Sequence, residues 1–258
     1  MTRRLVYITG ASSGIGQALA LHFYRAGWNL ALVARRKDAM TAWAAAQDLS
    51  PERYRAYGAD VSDVAAISAT GTACIRHQGL PDVVIASAGI SLGVDSAYLE
   101  DIAVMQRIYA TNNIGMAATF QPFITAMRER RSGTLVGIAS AAGIRGLPGH
   151  AAYCASKAAV ISYCESLRGE CRSDGIKVVT IAPGYIDTPL TRQNRYAMPF
   201  LMAPDQFAAR AFKAIQAGVS FRVIPWQMAW VARVLRVLPD AWFDRLLAGQ
   251  PRKHRASE

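Results

Sequence analysis

Short apolar runs alternate with longer stretches of helical periodicity along most of the chain. Residues 5–9, 29–34, 82–86, 134–139 and 177–182 are apolar without alternation. Runs of that kind read as strands covered on both faces. Residues 53–57 form a weaker strand, and 221–224 supply a seventh. Between them lie helical segments: one ending at Ala26, then 38–47, 63–77, 97–127 and 151–172. Gly27, just past the first of these, marks a helix end. The long stretch 97–127 is expected to break near Pro122. Strands separated by helices of this length make βαβ units. Right-handed crossovers then give an α/β fold: a doubly wound parallel sheet of about seven strands, with helices on both faces. Residues 1–225 read as a single domain. Residues 226–258 read as an amphipathic helical C-terminal extension, not an independent domain.

Composition narrows the function classes. Of 258 residues, 52% are hydrophobic and 18% charged, which excludes a disordered chain. Every long apolar stretch is interrupted well before the ~18 residues a spanning helix needs. The apolar run at the N-terminus is too short for a secretory signal, so a cytoplasmic location is expected. Cys74, Cys154, Cys164 and Cys171 form no C-x-x-C pair. Reduced, buried thiols and no metal site are the expectation. The net charge is +11, and residues 191–258 carry eleven Lys/Arg against four Asp/Glu. That excess suits an anionic partner: nucleic acid, anionic lipid or a phosphate-bearing ligand.

The phosphate-bearing ligand has a place to bind. Thr9-Gly10-Ala11-Ser12-Ser13-Gly14-Ile15-Gly16 joins the first strand to the first helix. Glycines there make the tight turn, let backbone approach a pyrophosphate and let helix and strand pack closely. The free N–H groups at the helix start face the anion. Twenty residues past Gly16, where an acid would bind a ribose 2′-hydroxyl, stand Arg35 and Arg36. A guanidinium accommodates a 2′-phosphate, which a carboxylate would repel. The expected cofactor is NADP(H), preferred over NAD(H).

The G-x-x-x-G-x-G spacing resembles the opening motif of the short-chain dehydrogenase/reductase family. The resemblance covers about residues 4 to 225, and implies a Rossmann-like fold and hydride transfer on the family's pro-S face. It implies that Asp60 approaches the adenine and that Val61 offers backbone contacts. The family's N-N-A-G appears as Ala86-Ser87-Ala88-Gly89. Ala88 and Gly89 keep the close backbone approach, while both asparagines are absent. Pro183-Gly184-Tyr185-Ile186-Asp187-Thr188 is similar to the family's P-G-x-[IV]-x-T, in which Ile and Thr contact the nicotinamide carboxamide.

Tyr153 and Lys157 lie one helical turn apart on a shared face. A nearby ammonium favours phenolate and lowers a tyrosine's pKa, which suits the phenol for proton exchange with a carbonyl or alcohol oxygen. The resemblance adds Ser140, thirteen residues before Tyr153, to hold the substrate oxygen. It adds Asn112 of Asn112-Asn113-Ile114-Gly115, to hold a water that links Lys157 to solvent. Asn113 is a rival by proximity, and the offset to Gly115 favours Asn112.

Substrate choice is expected in residues 141–150 and 185–203. Ile144, Leu147, Tyr185, Tyr196, Met198, Phe200 and Leu201 make these loops apolar, which suits a hydrophobic ketone or aldehyde, lipid-like or steroid-like. His150, Arg145, Arg192 and Arg195 lie there too. In the extension, Trp226, Trp230, Val231, Val234, Leu235 and Leu238 form a broad apolar arc. Arg233 and Arg236 sit on a narrow face, and a second amphipathic piece spans 242–247 before Arg252-Lys253-His254-Arg255. Three readings of the extension compete: packing on the core or a second subunit, a membrane-surface helix, and a lid over the substrate. The leading function is an NADPH-dependent oxidoreductase of carbonyls and secondary alcohols. The alternatives are a non-catalytic NADP(H) redox sensor, a membrane-surface lipid-ketone reductase and, from charge alone, a nucleic-acid binder; no recognition motif supports the last. The resemblance also implies a homodimer or tetramer.

Overall fold

Strand β1 (Leu5–Thr9) is buried along its whole length. It pairs in parallel with β2 (Asn29–Ala34) on one side and β4 (Val83–Ala86) on the other. Tyr7 stands opposite both Ala31 and Val84. The computed structural model describes residues 3–194, 196–249, 253 and 255. Strands β3 (Tyr54–Gly58), β5 (Gly133–Ile138), β6 (Ile176–Pro183) and β7 (Phe221–Ile224) complete a parallel sheet. Its order is β3-β2-β1-β4-β5-β6-β7. The order reverses between β1 and β4, and a doubly wound sheet opens its ligand crevice at that point, beyond the strands' carboxyl ends.

Each sheet face carries its own helical layer. On one side α3 (Val64–Gln78), α5 (Gly115–Arg130) and α6 (Ala151–Cys171) cover Tyr7, Val84 and Leu135. Phe120 and Phe123 are fully buried there, each burial stabilising by about 1.5–3 kcal/mol. On the other side α1 (Gly14–Arg25), α2 (Lys37–Ala46) and α7 (Pro204–Ala217) cover Ile8, Leu30 and Leu32. α4 (Glu100–Tyr109) precedes α5; α8 (Trp226–Val237) and α9 (Asp240–Leu247) follow β7. All four cysteines are free and buried. No helix among the described residues is long and apolar enough to cross a membrane.

Two elements differ from the sequence expectation. The long stretch before β5 does not break at Pro122, which lies inside α5. The proline ring packs on Gly71 of α3, where a Cβ would come within 2.7 Å of it. The interruption falls at Ala110–Ile114 instead, a π-helical turn between α4 and α5. Helix α7 covers a segment for which the sequence pattern predicts no element. Its signals are local: Pro204 in the first turn, a buried stripe of Phe207, Ala208, Ala211, Ala214 and Ile215, and Gly218 at φ +66° just past the end.

Candidate active site

The carboxyl ends of β1 to β4 open on a cavity of about 470 Å³. Gly10, Ser12, Ser13, Gly14, Ile15 and Gly16 form one wall. Arg35, Arg36, Asp60, Val61, Ala88, Gly89 and Thr188 continue it. A Cβ on Gly16 would lie 2.3 Å from the Gly10 carbonyl oxygen, so the loop closes only with glycine there. Gly10 has φ +69°, and a Cβ on it would reach 2.8 Å from Ala88 Cα. The Ser13 side chain makes no capping bond to α1, which leaves the first-turn N–H groups for an anion.

The β2 end is basic. Arg35 is exposed, with its nearest carboxylate, Asp60, 3.9 Å away. Arg36 has no ion pair among the described residues and precedes α2. Partial burial works to raise the Asp60 pKa, but two hydrogen bonds from Ser62 and the Arg35 charge outweigh it and hold the carboxyl below its usual range. The turn after β4 is held without the missing asparagines: Thr9 Oγ1 accepts from the Ser87 and Ala88 N–H groups at 3.2 and 3.4 Å. A closely approached glycine loop with open N–H groups and a rim carrying two guanidiniums fits a dinucleotide with a phosphorylated ribose.

Not every expected cofactor contact lines this cavity. Thr188 is buried against the glycine loop, 3.2 Å from where a Gly14 Cβ would stand. The Ile186 side chain is buried in the α1/α7 layer. Its carbonyl accepts from Thr191 Oγ1. Extended backbone alternates its side chains between faces, and Ile186 falls on the core side, so only its backbone is left for a ligand. Pro183 and Gly184 line a second cavity, of about 310 Å³, and Leu190 belongs to both.

Ser140, Tyr153 and Lys157 meet where β5 ends against α6. Ser140 follows β5 and caps a short turn, its Oγ accepting from the Ala142 N–H at 3.1 Å. Lys157 is buried, lies 5.9 Å from the centre of the Tyr153 ring and donates from Nζ to the Ile138 carbonyl at 2.9 Å. Enclosure pushes the Tyr153 phenol up to about 12, with the Ser140 hydroxyl opposing. Burial pulls Lys157 down to about 8. This corrects the expectation that the ammonium lowers the phenol's pKa: desolvation of both charged forms wins. At neutral pH the pair is therefore a protonated phenol beside an ammonium.

Asn112 projects from the π turn and is buried. Its Nδ2 donates to Ile90 O and Ser156 Oγ, and its Oδ1 accepts from Ile90 N–H at 2.8 Å. Asn112 Oδ1 and Lys157 Nζ would stand 3.3 and 3.4 Å from a Gly89 Cβ, so both border that glycine. Asn113 instead donates to the Ser156 carbonyl.

Beside Ser140 and Tyr153, the second cavity takes Ile144, Leu147, Tyr185 and Tyr196 from the expected loops; Met198, Phe200 and Leu201 do not line it. Helix α8 adds Met228, Val231, Ala232 and Leu235. Met228 and Ala232 are buried, so one helix both packs on the core and walls the cavity. Ser91 and Lys253 border it too, with Lys253 Nζ donating to Ser91 Oγ at 2.9 Å. The sequence reading named neither as a site residue, nor Arg107 and Thr111 at the first cavity. None of them carries a local signal. His150 is fixed between Pro148 O and the Tyr196 hydroxyl, and burial holds its pKa below the usual value. Arg145 donates to the carbonyls of Leu235 and Leu238, pairs with Asp240 and stacks on Phe243. It staples α8 and α9 to the loop after β5. Arg192 pairs with Asp187. Arg195, Arg252 and His254 lie outside the described residues.

Comparison with known proteins points the same way. Residues 4–198 match the family model described as short chain dehydrogenase. An oxidoreductase of Myxococcus xanthus is 36% identical over 244 residues, which cover 95% of this chain and 96% of that one. An 11-beta-hydroxysteroid dehydrogenase-like protein of Arabidopsis thaliana is 31% identical over 93% of this chain and 79% of its own. The crystal structure of levodione reductase superposes with a TM-score of 0.79 at 26% identity, over 89% of this chain and 99% of that one. The chain thus belongs to the short-chain dehydrogenase/reductase family, and it is a dehydrogenase/reductase that acts on CH–OH and C=O groups with a nicotinamide cofactor.

Proposed function

We propose that the protein is an NADPH-preferring reductase of a hydrophobic ketone or aldehyde, reversible as an alcohol dehydrogenase. The second cavity carries this reading: Ser140 and Tyr153 open on a space walled by Ile144, Leu147, Met228, Val231 and Leu235. When bound, NADPH supplies the hydride that reaches the carbonyl carbon. The glycine loop, Gly10 to Gly16, would hold its pyrophosphate, and Arg35 and Arg36 its 2′-phosphate. Asp60 and Val61 would border the adenine. Ala88, Gly89, Pro183, Gly184, Thr188 and the Ile186 backbone would hold the nicotinamide half. Ser140 Oγ holds the substrate oxygen, and Tyr153 Oη gives it a proton. The Lys157 ammonium steadies the phenolate left behind, and Asn112 helps return a proton from solvent.

Apolar side chains left exposed at Ile102, Ile114 and Tyr163 support a homodimer through the α4–α6 face; a monomeric mass in solution would overturn that. The location we propose is the cytoplasm. The name of the Arabidopsis relative supports a steroid-like or otherwise lipid-like substrate. The test is NADPH consumption over a panel of long-chain, cyclic and steroidal ketones and aldehydes, with NADH in parallel. Turnover of an apolar class with NADPH preferred supports the reading. NADPH binding without turnover of any of them favours the redox sensor.

A further inference from the structure

Helix α8 presents a second apolar face that none of the described residues covers. Trp226, Trp230, Val234 and Val237 lie within roughly 80° of arc, and α9 adds Trp242 and Leu246 one turn apart. All six are between 57% and 80% exposed. A monomeric surface rarely concentrates this much apolar side chain in two adjoining helices. Arg145 ties both helices to the body of the protein.

The charge beside it says what covers it. A groove of about 360 Å³ between β7 and α8 is floored by Phe221, Trp226 and Ala229 and flanked by Arg222, Arg233 and Arg236. No carboxylate lines it, and none of the three guanidiniums forms an ion pair among the described residues. Among the described residues Arg236 donates only to the Ile144 carbonyl, and Arg233 sits 5.7 Å over the Trp230 ring. Tryptophans at the level of cationic groups, with aliphatic side chains beyond, match the layers of a bilayer interface. A second copy of this chain fits less well, since a two-fold contact there would press the three arginines against their own counterparts.

We propose that α8 and α9 form a docking surface for anionic membrane lipid. The aromatic and aliphatic stripe enters the headgroup boundary, and Arg222, Arg233 and Arg236 meet lipid phosphates. The other side of α8 is the wall of the Tyr153 cavity, so docking sets that cavity beside the lipid phase. The docking does not depend on the carbonyl-reductase reading; only this consequence does.

The test is co-sedimentation of the full-length protein with vesicles of phosphatidylcholine alone, or mixed with phosphatidylglycerol. The wild type should bind the mixed vesicles, release in high salt and show a blue shift of tryptophan emission. Trp230→Ala with Trp242→Ala should weaken binding by about tenfold or more. Arg222→Glu and Arg233→Glu should each weaken it by about fivefold or more. Unchanged NADPH affinity would establish that the variants are folded. No binding to the mixed vesicles at low salt overturns the proposal. So does wild-type binding by the variants, or an oligomer that Trp230→Ala dissociates. If ketones are reduced but vesicles are not bound, only the docking falls; the converse removes only the carbonyl-reductase reading.

Discussion

The two cavities that meet at Leu190 are made of different material. The first is built largely from backbone: a glycine loop, a helix start and the turn after β4, from neighbouring strands near the switch point. The second is built from side chains of segments far apart in the chain, with α8 as one wall and Lys253 at its border. A backbone-built site takes a ligand that does not vary, because pyrophosphate recognition needs only N–H groups and room. A side-chain-built site can be altered residue by residue, which suits the half proposed to select a substrate.

That contrast can be attacked first at the reacting group of the second cavity. Tyr153→Phe should lower kcat by about a thousandfold, within the range of lost acid–base catalysis, while NADPH affinity measured by fluorescence titration stays the same. A variant that retained turnover would displace the phenol from its role. On the cofactor side alone, Arg36→Ser with Arg35→Ser should cut the kcat/KM preference for NADPH over NADH by about a hundredfold, the worth of two charge-assisted bonds. An unchanged ratio would mean that the basic rim is only solvated. On the substrate side alone, Val231→Trp should raise KM for bulky ketones by about tenfold and leave NADPH binding untouched. Equal effects on both ligands would abolish the distinction between the cavities.

The smallest effect is in pH. Lys157 is depressed to about 8, so its charge is full below that value and is lost as pH rises through it. Reductive kcat/KM should fall by about half near pH 8 and keep falling above it. A profile flat through that region would separate Lys157 from proton delivery.

The same contrast governs what the sequence reveals. Gly10 and Gly16 were legible because the strand–turn–helix pattern asks for glycine there, and for Gly16 the contact that forbids a Cβ, with the Gly10 carbonyl, lies within the loop itself. Tyr153 and Lys157 were legible because one helix holds both. Ser91 and Lys253 were not, since their hydrogen bond spans 162 positions. The π turn at Ala110–Ile114 escaped because one extra residue in a turn barely alters a 3.6-residue period. A proline is the louder signal, but Gly71 gives Pro122 its space within a continuous helix. For Ile186 the motif specifies backbone position, not which way the side chain turns, and that side chain packs in the core. The α8 periodicity was plain, yet its two apolar sides could be told apart only once β7 and the loop after β5 were in place.

Placing the last wall of the pocket on α8 has a consequence for biosynthesis. Residues 228 to 253 leave the ribosome after every other part of both cavities. Domains fold as units, and α8 follows directly on β7, the last strand of the sheet. The second cavity therefore stays open on one side until the C-terminal helices are made, whereas every residue lining the first lies before position 191. A chain cut short before Trp226 would lack the side chains of Met228, Val231, Ala232 and Leu235 that narrow the space around Tyr153.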